Sequence, residues 1–534
     1  MEGMQKGFEL QGAVTAGMDE SKELSGSDID PPNTAPAVHG FTENDRRDMH
    51  RMGKNQELMR NFRLISTVGF TTCVMGTWEI LLTANTQGLI AGGMAGLFWS
   101  LCWCYVGQTF IVLSLAEMAS MAPTAGGQYH WVSEFAPRKY QKWMSYTSGW
   151  LATLSWQSIV AADCYIVGGI VQGLIVVADP NYVPERWQAT LLIIASAIGI
   201  GLFNIYGAKH LPLAEGIFAT FHVFAFFPVI AVLWAMAPKQ SARAVFVEFT
   251  DNGAGWPTNA WAVMVGQVSS MFAVIGSDSV AHISEEIEDA GVIVPRGMMW
   301  AFLLNIPLTF GLLLTYLFCI GDVTEALGST TGYPFIYVFS NATQSRGGTI
   351  ALVVVVLLLL IMITISSLAS SSRQIWAFSR DRGLPFSGWL SHVHPSLQIP
   401  ANSIIFTCLY TILLSLINIG SSVGFNAVLS LTSSALMATY LISIGSVTYK
   451  RLTRQPLPTA RWSLGRYGLL VNCLACLYAF WAFFWSFWPN SYQPTVQMFN
   501  WSSVLFSGVM IIAALVYVFW ARKVYEGPVA KVRW

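Results

Sequence analysis

The sequence predicts an all-α integral membrane protein of about twelve transmembrane helices, and three observations carry that prediction. Of the 534 residues, 54% are hydrophobic and only 11% charged, against roughly 25% charged in an ordinary soluble chain. The apolar residues gather in stretches of about 20, the length a helix needs to cross the hydrocarbon core of a bilayer. The basic residues are sorted between alternate connections. With the N-terminus in the cytosol, only Arg186, Lys239, Arg243 and Arg346 of the 29 lysines and arginines fall outside, which is the positive-inside asymmetry. An even number of spans then returns the C-terminus to the cytosol, with the plasma membrane as the expected location.

The expected spans lie near 64–84, 92–118, 143–176, 188–207, 212–236, 260–284, 297–320, 348–372, 402–418, 424–448, 467–488 and 500–521. Residues 1–60 carry no signal peptide and read as a cytosolic tail. "SGSDIDPPNTAPAVHG" has the composition of a disordered segment, and "TENDRRDMHRMGKNQELMR" that of a charged surface helix. The first span therefore serves as the targeting signal. Residues 61–522 form one polytopic domain and 523–534 a cytosolic C-terminal tail. Trp and Tyr gather at the membrane boundary, as in "WSFWPNSY".

Loops this short leave no soluble catalytic domain, so the function lies within the bundle. A membrane enzyme would need a nucleophile with its base, or a metal cluster, and no such spacing is present. No cofactor and no metal are expected. Acidic and basic residues balance at 29 each, which gives no electrostatic case for nucleic acid. Cys473 and Cys476 form a C-x-x-C without a second pair, so they read as ordinary helix residues. Asn341-Ala-Thr343 and Asn500-Trp-Ser502 are glycosylation sequons on the expected outer side.

Two spans are interrupted. "TTCVMGTWEILL" places Gly76 and Thr77 halfway along the first, and "AVIGSDSVAH" places Gly276, Ser277 and Asp278 at the matching point of the sixth. Paired interruptions in corresponding halves mark a transporter's binding site, because a broken helix frees backbone groups near the midplane. The expected substrate-binding residues are Met75, Gly76, Thr77, Trp78 and Glu79 of span 1, Asp163 of span 3, and Ile275, Gly276, Ser277 and Asp278 of span 6.

Three motifs then become specific: "LSLAEMASMAPTAGGQYHWVSEFAP", "FAVIGSDSVAHISEEIEDAGVIVPRGM" and "SSRQIWAFSRDRGLPFSGWL". In this order and spacing they resemble the amino acid–polyamine–organocation permeases, most closely the fungal amino acid/choline branch. The resemblance implies a five-plus-five inverted repeat with broken helices 1 and 6, repeat 1 at about 62–237 and repeat 2 at about 258–449, followed by two C-terminal helices at about 467–521. It also implies alternating access, usually as a proton symporter, with choline, γ-aminobutyrate or another amino acid as substrate. One departure is Trp78, where many members of that superfamily have glycine in a Gly-Ser-Gly element. A tryptophan there narrows close backbone approach.

Ionisable residues inside spans are functional candidates that need a partner. Glu79, Asp163 and Asp278 lie well inside spans 1, 3 and 6, and no Lys or Arg lies at comparable depth. Their counter-charge would be a proton, a sodium ion or the amine of the substrate, and all three are proton-coupling candidates. A duller role is open to each: Asp278 capping the second half-helix, Glu79 bonding to a neighbouring helix, Asp163 facing a protein interface. His282 and Glu286 follow Asp278 at four-residue steps, either as a relay or as a helix turning polar at its exit. His222 reads as a hydrogen-bonded packing residue, the span-8 serines as small-residue packing, and Trp78 as packing or an aromatic face for an ammonium group. The expected partners are a small amine or amino acid, a coupling ion and the lipid bilayer. A channel and a signalling nutrient receptor are the non-enzymatic alternatives, and import is not separated from export.

Overall fold

The computed structural model describes residues 41–420, 424–496, 499–525 and 527–528. Residues 1–40, most of the expected tail, lie outside the described residues. Among those described, eleven helices are long and apolar enough to cross a membrane. They are Leu64–Ile90, Gly93–Met121, Gln141–Ala178, Arg186–Tyr206 and Ala208–Met236 (spans 1–5), and Ala290–Cys319, Arg346–Arg380, Ala401–Gly420, Gly424–Leu452, Gly465–Trp485 and Ser502–Val524 (spans 7–12). Span 6 is the twelfth. It is divided into Asn259–Gly266, Val268–Val274 and Ser279–His282, none long enough to cross alone. The chain is thus a multi-pass, all-α membrane protein, and among the described residues the one two-stranded sheet is small: Ala91–Gly92 runs antiparallel to Thr250–Asp251.

Span 3 is the hub and packs against spans 4, 8 and 10. In the most apolar windows of spans 10 and 1, 89% and 78% of residues are buried, against 11% in span 12 and 28% in span 9. The first two therefore form the core, and the last two stand at the lipid-facing rim. Because lipid tails are as apolar as leucine, close backbone approach holds such helices together. Spans 3 and 4 meet this way: a Cβ on Gly168 would lie 2.8 Å from the Ile193 backbone nitrogen.

The structure departs from the sequence reading on the side where spans 1, 3 and 7 begin, here the basic side. Glu43–Met52, expected as a surface helix within a 1–60 tail, is docked: Asp45, Met49 and Met52 are buried. Asp45 pairs with Arg60 at 3.2 Å and accepts from the backbone amides of Asp289 and Ala290. Span 8 runs to Arg380 instead of stopping near 372. Its terminal charges are neutralised within the protein, Arg373 by Glu286 (2.7 Å) and Arg380 by Glu285 (2.6 Å). Charge that reads as a helix exit is buried ion pairing. The expected solvated exit of span 6 is corrected for the same reason, since Glu285 is fully buried.

Candidate functional site

The first span breaks where Gly76 turns left-handed (φ 41°), between Leu64–Met75 and Thr77–Thr83. The sixth breaks at Gly276 (φ 97°), between Val268–Val274 and Ser279–His282. Only glycine adopts such backbone at little cost. The two breaks face each other across a cavity walled by Val74, Met75 and Ile80 of span 1, Ile159 and Asp163 of span 3, and Phe272, Ile275 and Gly276 of span 6. The cavity is only about 20 Å³, about enough for one water molecule. The half-helices are closed on the site, and a solute the size of an amino acid requires them to part.

Asp163 is the one ionisable residue in that wall. It is 3% exposed, and its Oδ2 has no hydrogen-bond partner among the described residues. The Ser367 hydroxyl of span 8 lies beside it.

Asp278 is arranged differently. It precedes the half-helix Ser279–His282, yet its side chain makes no cap bond. Its Oδ1 accepts from the Tyr440 hydroxyl of span 10 (2.6 Å), and its Oδ2 from Gln128 Nε2 (2.5 Å) and the Trp156 indole of span 3 (3.2 Å). His282 Nε2 lies 3.7 Å from Oδ2. His282 Nδ1 sits 3.0 Å from the Ala125 carbonyl, which only accepts, so Nδ1 carries a hydrogen. With Nδ1 so fixed, a proton on Nε2 makes His282 the counter-charge of Asp278. The expected relay to Glu286 is not formed, because the helix ends at His282 and Glu286 turns to Arg373.

The other expected residues divide by the direction of their side chains. Met75, Ile275 and Gly276 line the cavity. Gly76 is tight against span 8, where a Cβ would come within 2.2 Å of Ile363 Cδ1. Thr77 donates to Asn305 Oδ1 (2.7 Å) and accepts from Thr309 (2.5 Å), both of span 7. Trp78 packs on His222 and Phe226 of span 5, with ring centroids 6.0 and 6.1 Å apart, so its indole faces away from the cavity. Glu79 meets His222 Nδ1 at 2.6 Å. Ser277 is buried with its hydroxyl unpartnered among the described residues. Of the sequons, Asn341 is half-buried, while the Asn500 amide is buried and donates to the Ser486 and Trp488 carbonyls. A glycan at Asn500 would displace both bonds.

Gln128, Trp156 and Tyr440 were not anticipated. Gln128 had a signal: it opens the helix Gln128–Phe135 directly after Gly127, whose φ of 52° and missing Cβ admit His282. The three quoted motifs converge there and on the basic side. Gln128 bonds Asp278, Tyr129 bonds Asp381, and Arg380 holds Glu285, which also accepts from the Ala125 amide. Lys54 pairs with Asp381, and Arg51 reaches Glu134. Burial opposes ionisation of Glu285, but Arg380 and Lys54 hold its carboxyl below the ordinary value. Glu134 is likewise lowered, His130 and Arg51 outweighing burial.

Comparison with known proteins agrees with this architecture. Residues 62–516 match the amino acid permease family. A protein of Macrophomina phaseolina, provisionally named an amino acid/polyamine transporter, is 32% identical over 77% of this chain and 91% of its own length. An amino-acid permease of Arabidopsis thaliana is 27% identical over 91% of this chain and 96% of its own. The choline transporter of Saccharomyces cerevisiae is 24% identical, covering 88% and 83%. With the match running from the first span into the twelfth, this chain belongs to the amino acid permease family, within the superfamily its three motifs resemble.

Proposed function

We propose that this chain is a secondary active permease for a small amine-bearing solute, and that Asp163 receives the ammonium group. The observation that carries this is the unpartnered Oδ2 of Asp163 in the wall of the cavity between the two breaks. A buried carboxylate in a membrane bundle needs a cation, and a substrate amine supplies one. The opening amides of Thr77–Thr83 offer donors for the carboxylate of a zwitterion. The Trp78 indole packs on His222 and Phe226 of span 5, so it supplies no aromatic face to the site.

The same wall favours an ammonium that donates hydrogen bonds over a quaternary one. Quaternary amines are held by aromatic cages, and Phe272 is the single aromatic residue lining this cavity. An amino acid, γ-aminobutyrate or a polyamine fits better than choline.

The closed breaks and the ion-paired basic side support alternating access, with that side and both termini cytosolic in this reading and the plasma membrane as the site of action. A proton is the coupling ion. Radiolabelled uptake in permease-deficient yeast tests the reading with choline, γ-aminobutyrate, polyamines and neutral, acidic and basic amino acids. A primary or secondary amine should give the highest uptake, rising as external pH falls. A dicarboxylate without an amine as best substrate, or uptake driven by sodium and indifferent to pH, would reject it.

A further inference from the structure

Span 5 carries a second buried acid outside the cavity. Glu215 is fully buried in the helix Leu211–Met236, two turns or less from its basic-side end. Its Oε2 has no hydrogen-bond partner among the described residues. Its Oε1 is 2.6 Å from the Ser366 hydroxyl of span 8. The groups that act on its carboxyl are Ser366 and the Cys73 thiol of span 1, a weak donor. Lys209 and His210, which precede the helix, are exposed, as is Arg296 of span 7. None of these supplies a buried counter-charge.

The Ser366 hydroxyl has one hydrogen and two candidate acceptors: Glu215 Oε1, and the Met362 carbonyl at 3.1 Å. With Glu215 protonated, its O–H donates to Ser366 Oγ, and Ser366 donates to Met362. When Glu215 loses the proton, Ser366 turns and donates to the carboxylate. Both protonation states are therefore hydrogen-bonded without moving a heavy atom. The half-helix Leu64–Met75 seals this position, since a Cβ on Gly69 would lie 2.9 Å from the Glu215 carbonyl oxygen.

We propose that Glu215 is a proton-binding site of this permease, closed off by the first half of span 1. The inference rests on the proton-coupling reading above and assigns its proton to a residue outside the substrate cavity. One proton enters from outside, resides on the Glu215 carboxyl with Ser366 as its acceptor, and passes to cytosolic water when Leu64–Met75 swings away.

Infrared difference spectroscopy of the full chain in lipid tests the site without any substrate. At neutral pH the parent should show a protonated-carboxyl band that Glu215→Gln removes, and Ser366→Ala, which deletes only the acceptor hydroxyl, should move that band. An unchanged band in Glu215→Gln would overturn the proposal. Should that variant not fold, an unmoved band in Ser366→Ala would overturn it instead. In proteoliposomes, a one-unit pH gradient should drive about tenfold accumulation of the best amine from the uptake screen, for one proton per substrate. Glu215→Gln should lose that accumulation while retaining substrate exchange at equal pH. If the parent shows no gradient-driven uptake but the band behaves as described, the coupling reading fails and the proton site stands.

Discussion

Asp163 and Asp278 are both buried acids at the level of the helix breaks, and they are wired in opposite ways. Asp278 is bonded by Tyr440, Gln128 and Trp156, with His282 beside it. Asp163 stands in an apolar wall with one oxygen free of partners among the described residues. The first joins the half-helix Ser279–His282 to spans 3 and 10 and the loop helix Gln128–Phe135. The second is the one proposed to receive the substrate. A carboxylate at a helix break is thus not by itself a substrate site; what matters is whether the protein has already satisfied it.

Asp278→Asn breaks the comparison most strongly. An amide nitrogen would face donors that now converge on the carboxylate. Each buried donor left unsatisfied costs about 1–3 kcal/mol, and more than one is affected, so this variant should lose surface expression and melt well below the parent. Parent-like stability measured by thermal denaturation in detergent would contradict the cage. Tyr440→Phe sharpens the same point, since one hydrogen bond to a charged group is worth about 1.5–3 kcal/mol. It should lower the melting temperature by a smaller step and leave the substrate Kd within about threefold, the Asp163 contact being untouched.

The two glycines differ in a testable way. Gly276→Ala meets ordinary contacts (3.6 Å to Val74) but must hold φ 97°, a strain of about 1–3 kcal/mol. Gly76→Ala adds a collision with Ile363. Ile363→Ala should therefore partly restore uptake in Gly76→Ala and leave Gly276→Ala unimproved. Equal rescue of both would show that the breaks are held by packing alone.

The smallest expected effect is that of acid on the basic-side ion pairs. Because the folded values of Glu285 and Glu134 lie below the ordinary 4.5, their stabilisation is present above that pH. It is lost only as pH falls through the lower folded values. Maleimide labelling of a cysteine placed at Thr124, beside Glu285, should stay flat from neutral pH down to about 5 and rise only in stronger acid. Any pH dependence of uptake in the neutral range then arises elsewhere.

Much of this was legible in the sequence. The spans, the two breaks and the three motifs depend on local composition and on glycine, which a single chain displays. What it did not display was pairing across the bundle. Glu79 reads as an acid lacking a basic partner, yet His222 lies 143 residues away and bonds it. Arg373 and Arg380 fall beyond the expected end of span 8 near 372, because their acids, Glu286 and Glu285, belong to another part of the chain. Asp278 reads as the prime ligand because Gln128, Trp156 and Tyr440 come from three separate elements. Glu215 passes unnoticed inside an apolar run, its environment being set by spans 1 and 8.

The most direct test of the account is equilibrium binding of the radiolabelled amine substrate to purified parent and Asp163→Asn protein, with the melting temperature of each recorded alongside. Loss of one side of a buried charge contact costs at least about 2 kcal/mol, or about 30-fold in Kd. The account expects that loss or a greater one, with a melting temperature close to the parent's, since Asp163 Oδ2 has no hydrogen-bond partner among the described residues. Binding of the substrate by Asp163→Asn with the parent's Kd would contradict it.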